Sequence, residues 1–197
     1  MARQRQTKTE AKIKAAFTTL VKNKGFDAMT VSDLAREADI NRGTFYMHYV
    51  DKFDLRDQLL DDVITDLTAI LTAESNDPCE PIDAEDIIDS CDLESAMRYI
   101  KQDYAFFDAI TSSGNDMQLY ERLRDVIKQL LLKQVSRLRK APDGIPGIPW
   151  EYATEILVSS TSSVLWMWLR RGCRESPETI STIIERSKSL SPVDILR

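Results

Sequence analysis

Residues 29–52 read MTVSDLAREADINRGTFYMHYVDK, and their pattern decides the fold. Thr30 precedes Val31, Leu34, Ala35 and Ala38, which recur at i, i+3, i+4 and i+7 and so line one face of a short helix. The Thr30 hydroxyl is a natural N-cap, and Asp33 sits where a capping box places its acidic member. Asp39 follows the helix, and Asp is among the few residues that tolerate the left-handed conformation of a sharp turn. A second short helix is expected over about 41–49, anchored by Ile40, Phe45 and Tyr49. Two short helices joined by a tight turn make a helix-turn-helix, although an ordinary helical hairpin would show the same periods.

Working outward, residues 7–24 carry Ile13, Ala16, Phe17, Leu20 and Val21 on one stripe, and Gly25 stands where a helix C-cap belongs. A longer helix is expected from Lys52 to about Ala73, with Leu60, Val63, Ile64, Leu67 and Leu71 on one face. The acidic, proline-bearing stretch 74–83 reads as a loop. After it come a short helix near 84–90, a longer one near 92–112 ended by Gly114, and another over 116–140. APDGIPGIP at 141–149 breaks the chain, a long helix fills 150–171, and the last runs 176–190. Ser176 caps that one, with Pro177 in its first turn. The expectation is an all-α chain of nine helices.

Charge is informative once divided. Residues 1–58 hold 11 Lys and Arg against 8 Asp and Glu, whereas the other 139 hold 15 against 24. A basic head on an acidic body suits a polyanion partner for the head, and a solvated lysine-rich face reads the same way. Cys79, Cys91 and Cys173 lie far apart without metal-ligand spacing, which favours reduced cytosolic thiols over a disulfide frame or a zinc site. The longest apolar run, 164–169, is far too short for the ~18 residues of a membrane span, and no signal peptide is visible. A cytoplasmic protein with no membrane partner is expected.

The second short helix concentrates donors. In a helix-turn-helix it lies in the major groove with its N-terminal residues at base edges. Arg42 can fork onto guanine O6 and N7, and Gly43 lets the backbone come close. Thr44, Tyr46 and His48 offer short directional donors for phosphate oxygens. Lys52 adds a cation and a positive helix end. The competing reading makes these residues plain surface polars, with Tyr46 and His48 as half-buried packing.

The whole stretch 29–52, with GFDAMT leading into it and KFDL closing it, resembles the signature of the TetR family of bacterial transcription regulators. The resemblance covers about residues 8–60. It implies a nine-helix, Ω-shaped TetR/AcrR-like homodimer, with a DNA-binding head over 1–54 and a regulatory, dimerising body over 55–197. It places Arg42 and Gly43 at base edges, Met47 against a thymine methyl, and Thr44, Tyr46, His48 and Lys52 at phosphates. Ser32 falls on the supporting helix, where a groove or phosphate contact is often made. Asp39 stands where many such turns have glycine.

In the body, EYATEILVSSTSSVLWMWLRRG is apolar on nearly every side between Val164 and Leu169 and needs cover on two faces. A partner chain can supply one, and a buried central helix in a monomer is the alternative. The residues expected at a pairing face are Leu157, Val164 and Trp168, with Ile180, Ile183 and Ile184 of the last helix. TetR-like chains pair through their last two helices, and WLRRGCRESPETI resembles the end of the body in a Gram-positive subgroup. Met97, Tyr104, Phe106, Phe107, Met117 and Tyr120 could line a small-molecule cavity of the kind the family implies, and they also suit an ordinary core. Asp103 and Asp108 read as solvated. No cofactor or metal is expected. No glycine-rich phosphate loop, nucleophile elbow or Glu-x-x-His motif supports an enzyme. A repressor released by a ligand is the expected function, beside a coactivator of the type known in the dihydroxyacetone kinase system, a ligand-independent DNA binder or a helical adaptor.

Overall fold

A computed structural model describes residues 8–72, 90–137 and 148–189. The described residues form nine α-helices and no strand. In chain order these are α1 (Lys8–Lys24), α2 (Val31–Glu37), α3 (Arg42–His48), α4 (Lys52–Thr72) and α5 (Ser90–Gln102). Then follow α6 (Tyr104–Ile110), α7 (Asp116–Arg137), α8 (Trp150–Arg170) and α9 (Pro177–Ser189). The loop expected at 74–83, the short helix near 84–90 up to residue 89 and most of the 141–149 breaker lie outside the described residues.

The chain divides into two compact units: Met1–Val63 with Asp103–Leu119, and Ile64–Gln102 with Tyr120–Arg197. In the first, α1 turns its predicted stripe inward; Ile13 and Phe17 are fully buried, and α1 packs on both α2 and α6. Gly25 ends α1 with φ +79, a left-handed cap that returns its N–H to Val21 O at 2.9 Å.

The helix expected over 92–112 is two. It breaks at Asp103, whose carboxylate leaves its own helix end to meet Lys14 of α1 at 2.7 Å, while Lys14 Nζ also lies 3.8 Å from the Phe106 ring centroid. Asp103 O then accepts the N–H groups of Phe106 and Phe107 and starts α6. Asp103 is thus paired while its carboxylate stays partly in solvent, and the exposed Asp108 accepts the Tyr104 hydroxyl at 3.3 Å. A π turn over Thr111–Asn115, with Gly114 at φ +86, leads into α7.

In the second unit α9 packs on α5 and α8. Arg98 of α5 reaches Glu178 at 3.2 Å, and Lys101 donates to Glu175 O at 2.9 Å. Ser176 caps α9 by accepting the Thr179 N–H at 3.2 Å. The α8–α9 turn winds through two left-handed residues, Gly172 (φ +88) and Cys173 (φ +49). Burial pushes the Cys173 thiol up to about 11, so it stays protonated and unreactive at neutral pH. No helix among the described residues is long and apolar enough to cross a membrane.

Candidate nucleic-acid interface

The first unit presents α2 and α3 as a helix-turn-helix whose local devices are those the residues dictate. Thr30 accepts the Asp33 N–H, and Asp33 Oδ2 takes the Thr30 N–H in return, closing the capping box. The Lys24 ammonium, 2.6 Å from that carboxylate, and the Thr30 hydroxyl and amide hold the Asp33 carboxyl well below the usual carboxylate range. Asp39 adopts φ +53, and the turn closes with Ile40 N–H on Ala35 O at 3.0 Å. The sharp bend is made here by aspartate in a left-handed conformation.

Asn41 caps α3, taking the Thr44 N–H at 2.7 Å and the Thr44 hydroxyl at 3.1 Å. Sequence reading passed over this residue, although asparagine just before a short helix is itself a capping signal. The cap also gives Gly43 a second reason to lack a side chain: a Cβ there would sit 3.1 Å from Asn41 Oδ1.

Beyond the cap, α3 sorts its side chains sharply. Phe45 is fully buried and Tyr49 is 7% exposed, with their rings 5.5 Å apart. Burial, with the Glu10, Asp62 and Asp54 charges added, pushes the Tyr49 phenol up to about 12, so it stays neutral. Arg42, Tyr46 and Met47 face outward, Met47 at 79% exposure. Arg42 donates to the Tyr46 hydroxyl at 3.3 Å, so the cation and the phenol stand together, one turn apart. Ser32 of α2 is exposed too. His48 is half-buried, and its Nδ1 lies 3.5 Å from Glu10 of α1, a partner no pattern within 29–52 could reveal.

Lys52 is placed differently. Its ammonium donates to three backbone carbonyls of the α1–α2 turn: Phe26 at 3.0 Å, Asp27 at 2.9 Å and Met29 at 3.0 Å. The α4 N-terminus beside it is occupied as well. Asp51 takes the N–H groups of Phe53 and Asp54, each at 2.8 Å, and Asp54 takes that of Val50 at 2.7 Å.

The body residues singled out from sequence do not share one environment. Of the six assigned to pairing, Trp168, Ile180 and Ile184 are at most 4% exposed in the single chain and have no surface left to give a partner. The Trp168 indole N–H is used on Glu175 O at 3.1 Å. Leu157 and Val164 are half-buried, and Ile183 is exposed. Outward with it, on α8, stand Tyr152, Ile156 and Met167, spaced along one face with Ser160 and Ser163 between them. The sequence reading centred on the all-round apolar run at 164–169, and most of this face lies before it. Of the residues assigned to a ligand cavity, Tyr104, Phe107 and Met117 belong to the first unit and Met97 and Tyr120 to the second. Phe107 and Met97 are core, Met117 is 60% exposed, and Tyr120 packs edge-on against Trp166 at 5.5 Å. Phe106, also of the first unit, is core as well, and none of the six lines the groove of the second unit between α4 and α7. That groove is bounded by Ile64, Thr68, Thr72, Arg122, Val126 and Leu130, among others.

A capped pair of short helices with a buried inner face and an exposed donor face has the form of a helix-turn-helix module. Comparison with known proteins agrees. Residues 13–59 match the model of bacterial regulatory proteins of the tetR family, and residues 92–188 match a transcriptional regulator C-terminal region. The HTH-type transcriptional regulator YxbF of Bacillus subtilis (strain 168) is 23% identical over 173 residues. That match takes in 87% of this chain but 42% of YxbF, so the chain spans less than half the length of this curated relative. A TetR-family transcriptional regulator (HI0893) from Haemophilus influenzae superposes with a TM-score of 0.59 at 19% identity, over 94% of this chain and 97% of that one. The dihydroxyacetone kinase operon activator DhaS superposes with a TM-score of 0.58 at 18% identity, over 90% and 92%. The chain belongs to the TetR family of DNA-binding transcriptional regulators.

Proposed function

We propose that the protein is a cytoplasmic, homodimeric repressor that grips a pseudo-palindromic operator and is released by a small ligand. The observation that carries this reading is the division of α3, with Phe45 and Tyr49 buried and Arg42, Tyr46 and Met47 exposed together. In this reading the head, 1–54, reads DNA, with Arg42 and Gly43 at base edges, Met47 on a thymine methyl, and Ser32, Thr44, Tyr46 and His48 at phosphates. The body, 55–197, pairs two copies through the exposed face of Tyr152, Ile156, Ser163 and Met167, with Ile183 beside it and Leu157 and Val164 at its edge. Two heads one helical turn apart, ~34–36 Å, then require two half-sites.

The α4–α7 groove supports a ligand role. Its volume, about 510 Å³, suits a small molecule, its surface is mostly apolar, and Thr68, Thr72 and Arg122 add polar groups. A second reading, activation, is favoured by the likeness to DhaS, which rests on fold alone.

Selection of duplexes from a random pool, followed by footprinting on DNA flanking the gene, tests the proposal. A protected pseudo-palindrome is expected, and Arg42→Ala should relax preference at one base pair per half-site by roughly 1–3 kcal/mol. No duplex preference at moderate salt, or only monomer in sedimentation at micromolar protein, would overturn it. A reporter that rises when the protein is supplied would select activation.

A further inference from the structure

Lysine at the start of α4 offers DNA a cation only if its ammonium has a proton to give. An ammonium has three donors, and Lys52 directs all three at the carbonyls of Phe26, Asp27 and Met29. The head of the side chain also lies 4.9 Å from the Phe26 ring centroid and 5.3 Å from that of Phe53, with Arg56 over the same two rings. The carbonyls it holds belong to the turn between α1 and α2, immediately before the Thr30 cap that starts α2. Asp51 meanwhile caps α4 by taking the Phe53 and Asp54 amides, and Asp54 takes that of Val50 just before the helix, so two of the first amides of α4 already have a carboxylate.

We infer that Lys52 is a positioning residue: it ties the turn at 26–29 to the start of α4, and so sets where the helix-turn-helix lies, without bonding a phosphate. A phosphate bond would require it to release a carbonyl it already holds by a charge-assisted bond. Its charge is needed for geometry. A planar guanidinium, which keeps the charge, cannot point three protons at the same three oxygens.

The inference rests on the DNA-binding reading, and the experiment separates the two. In the full chain, Lys52→Arg and Lys52→Met are compared with the parent for melting temperature, for affinity to one duplex and for the salt dependence of that affinity. Both variants are expected to melt lower and to bind about tenfold more weakly. Arg should behave like Met in affinity, with a salt slope close to the parent's. A phosphate contact predicts the reverse: unchanged melting, Arg within about twofold of the parent, and Met flattening the slope by about 0.9. Should Met fail to fold, the parent labelled with 15N-lysine decides. Lys52 should give a slowly exchanging ammonium signal, assigned by its loss in the Arg variant, that stays put when duplex is added. A signal absent from the free protein, or one moved by DNA, overturns the inference. If the parent binds no duplex, the DNA reading falls, while melting and ammonium protection still test the brace.

Discussion

Two helix starts in the same unit carry the same classes of residue, a capping side chain followed by a cation: Asn41 with Arg42 at α3, and Asp51 with Lys52 at α4. At α3 the cation stands in solvent beside Tyr46. At α4 it is folded back onto three carbonyls. What differs is the neighbourhood. The α1–α2 turn leaves its carbonyls turned toward α4, whereas Arg42 meets only its own helix. Similar local grammar therefore leaves an exposed cation in one place and a tethered one in the other, and tertiary surroundings decide which.

The comparison can be broken most violently from beneath. Phe45→Ala removes the floor of α3 without touching Asp51 or Lys52, and should cost about 3–5 kcal/mol in urea unfolding, given a fully buried ring. A loss under about 1 kcal/mol would mean that α3 is held by something other than Phe45. The two caps sharpen it. Asn41→Ala and Asp51→Ala should each cost about 1 kcal/mol of stability. Their effects on DNA should differ in sign: the first loosens the reading helix, while the second removes a negative charge and frees two amides, and so strengthens binding at low salt. Equal signs in a titration of one duplex would erase the distinction drawn here.

The smallest effect is an acid one. Asp33 is held below its ordinary range by Lys24 and Thr30, so its contribution is fully present above about pH 4 and is lost progressively as pH falls below that. Asp33→Asn should flatten that part of a melting-temperature profile and leave the neutral region lower.

What was legible beforehand follows the same division. The capping box at Thr30 and Asp33, the bend at Asp39, the cap at Gly25 and the inward set of α1 are properties of a few adjacent residues, and they stand as the sequence implied. The break at Asp103 was not legible, because the partner its carboxylate meets there, Lys14, lies 89 residues away. Nor was the brace at Lys52, whose acceptors lie 23 to 26 residues earlier. Trp168 was misplaced for a third reason. In a helix apolar on nearly every side, pattern cannot say which side faces a neighbour, and the indole is turned inward onto Glu175 O.

One consequence of the Lys14–Asp103 pair concerns anyone who would cut or graft this protein. The unit that holds α2 and α3 also includes α6, which packs on α1 and is joined to it by that ion pair. A fragment ending at residue 63 would leave Phe106 and Phe107 behind and strip α1 of its cover. Chimeras that borrow α2 and α3 should therefore carry residues 103–119 as well, or supply a substitute for them.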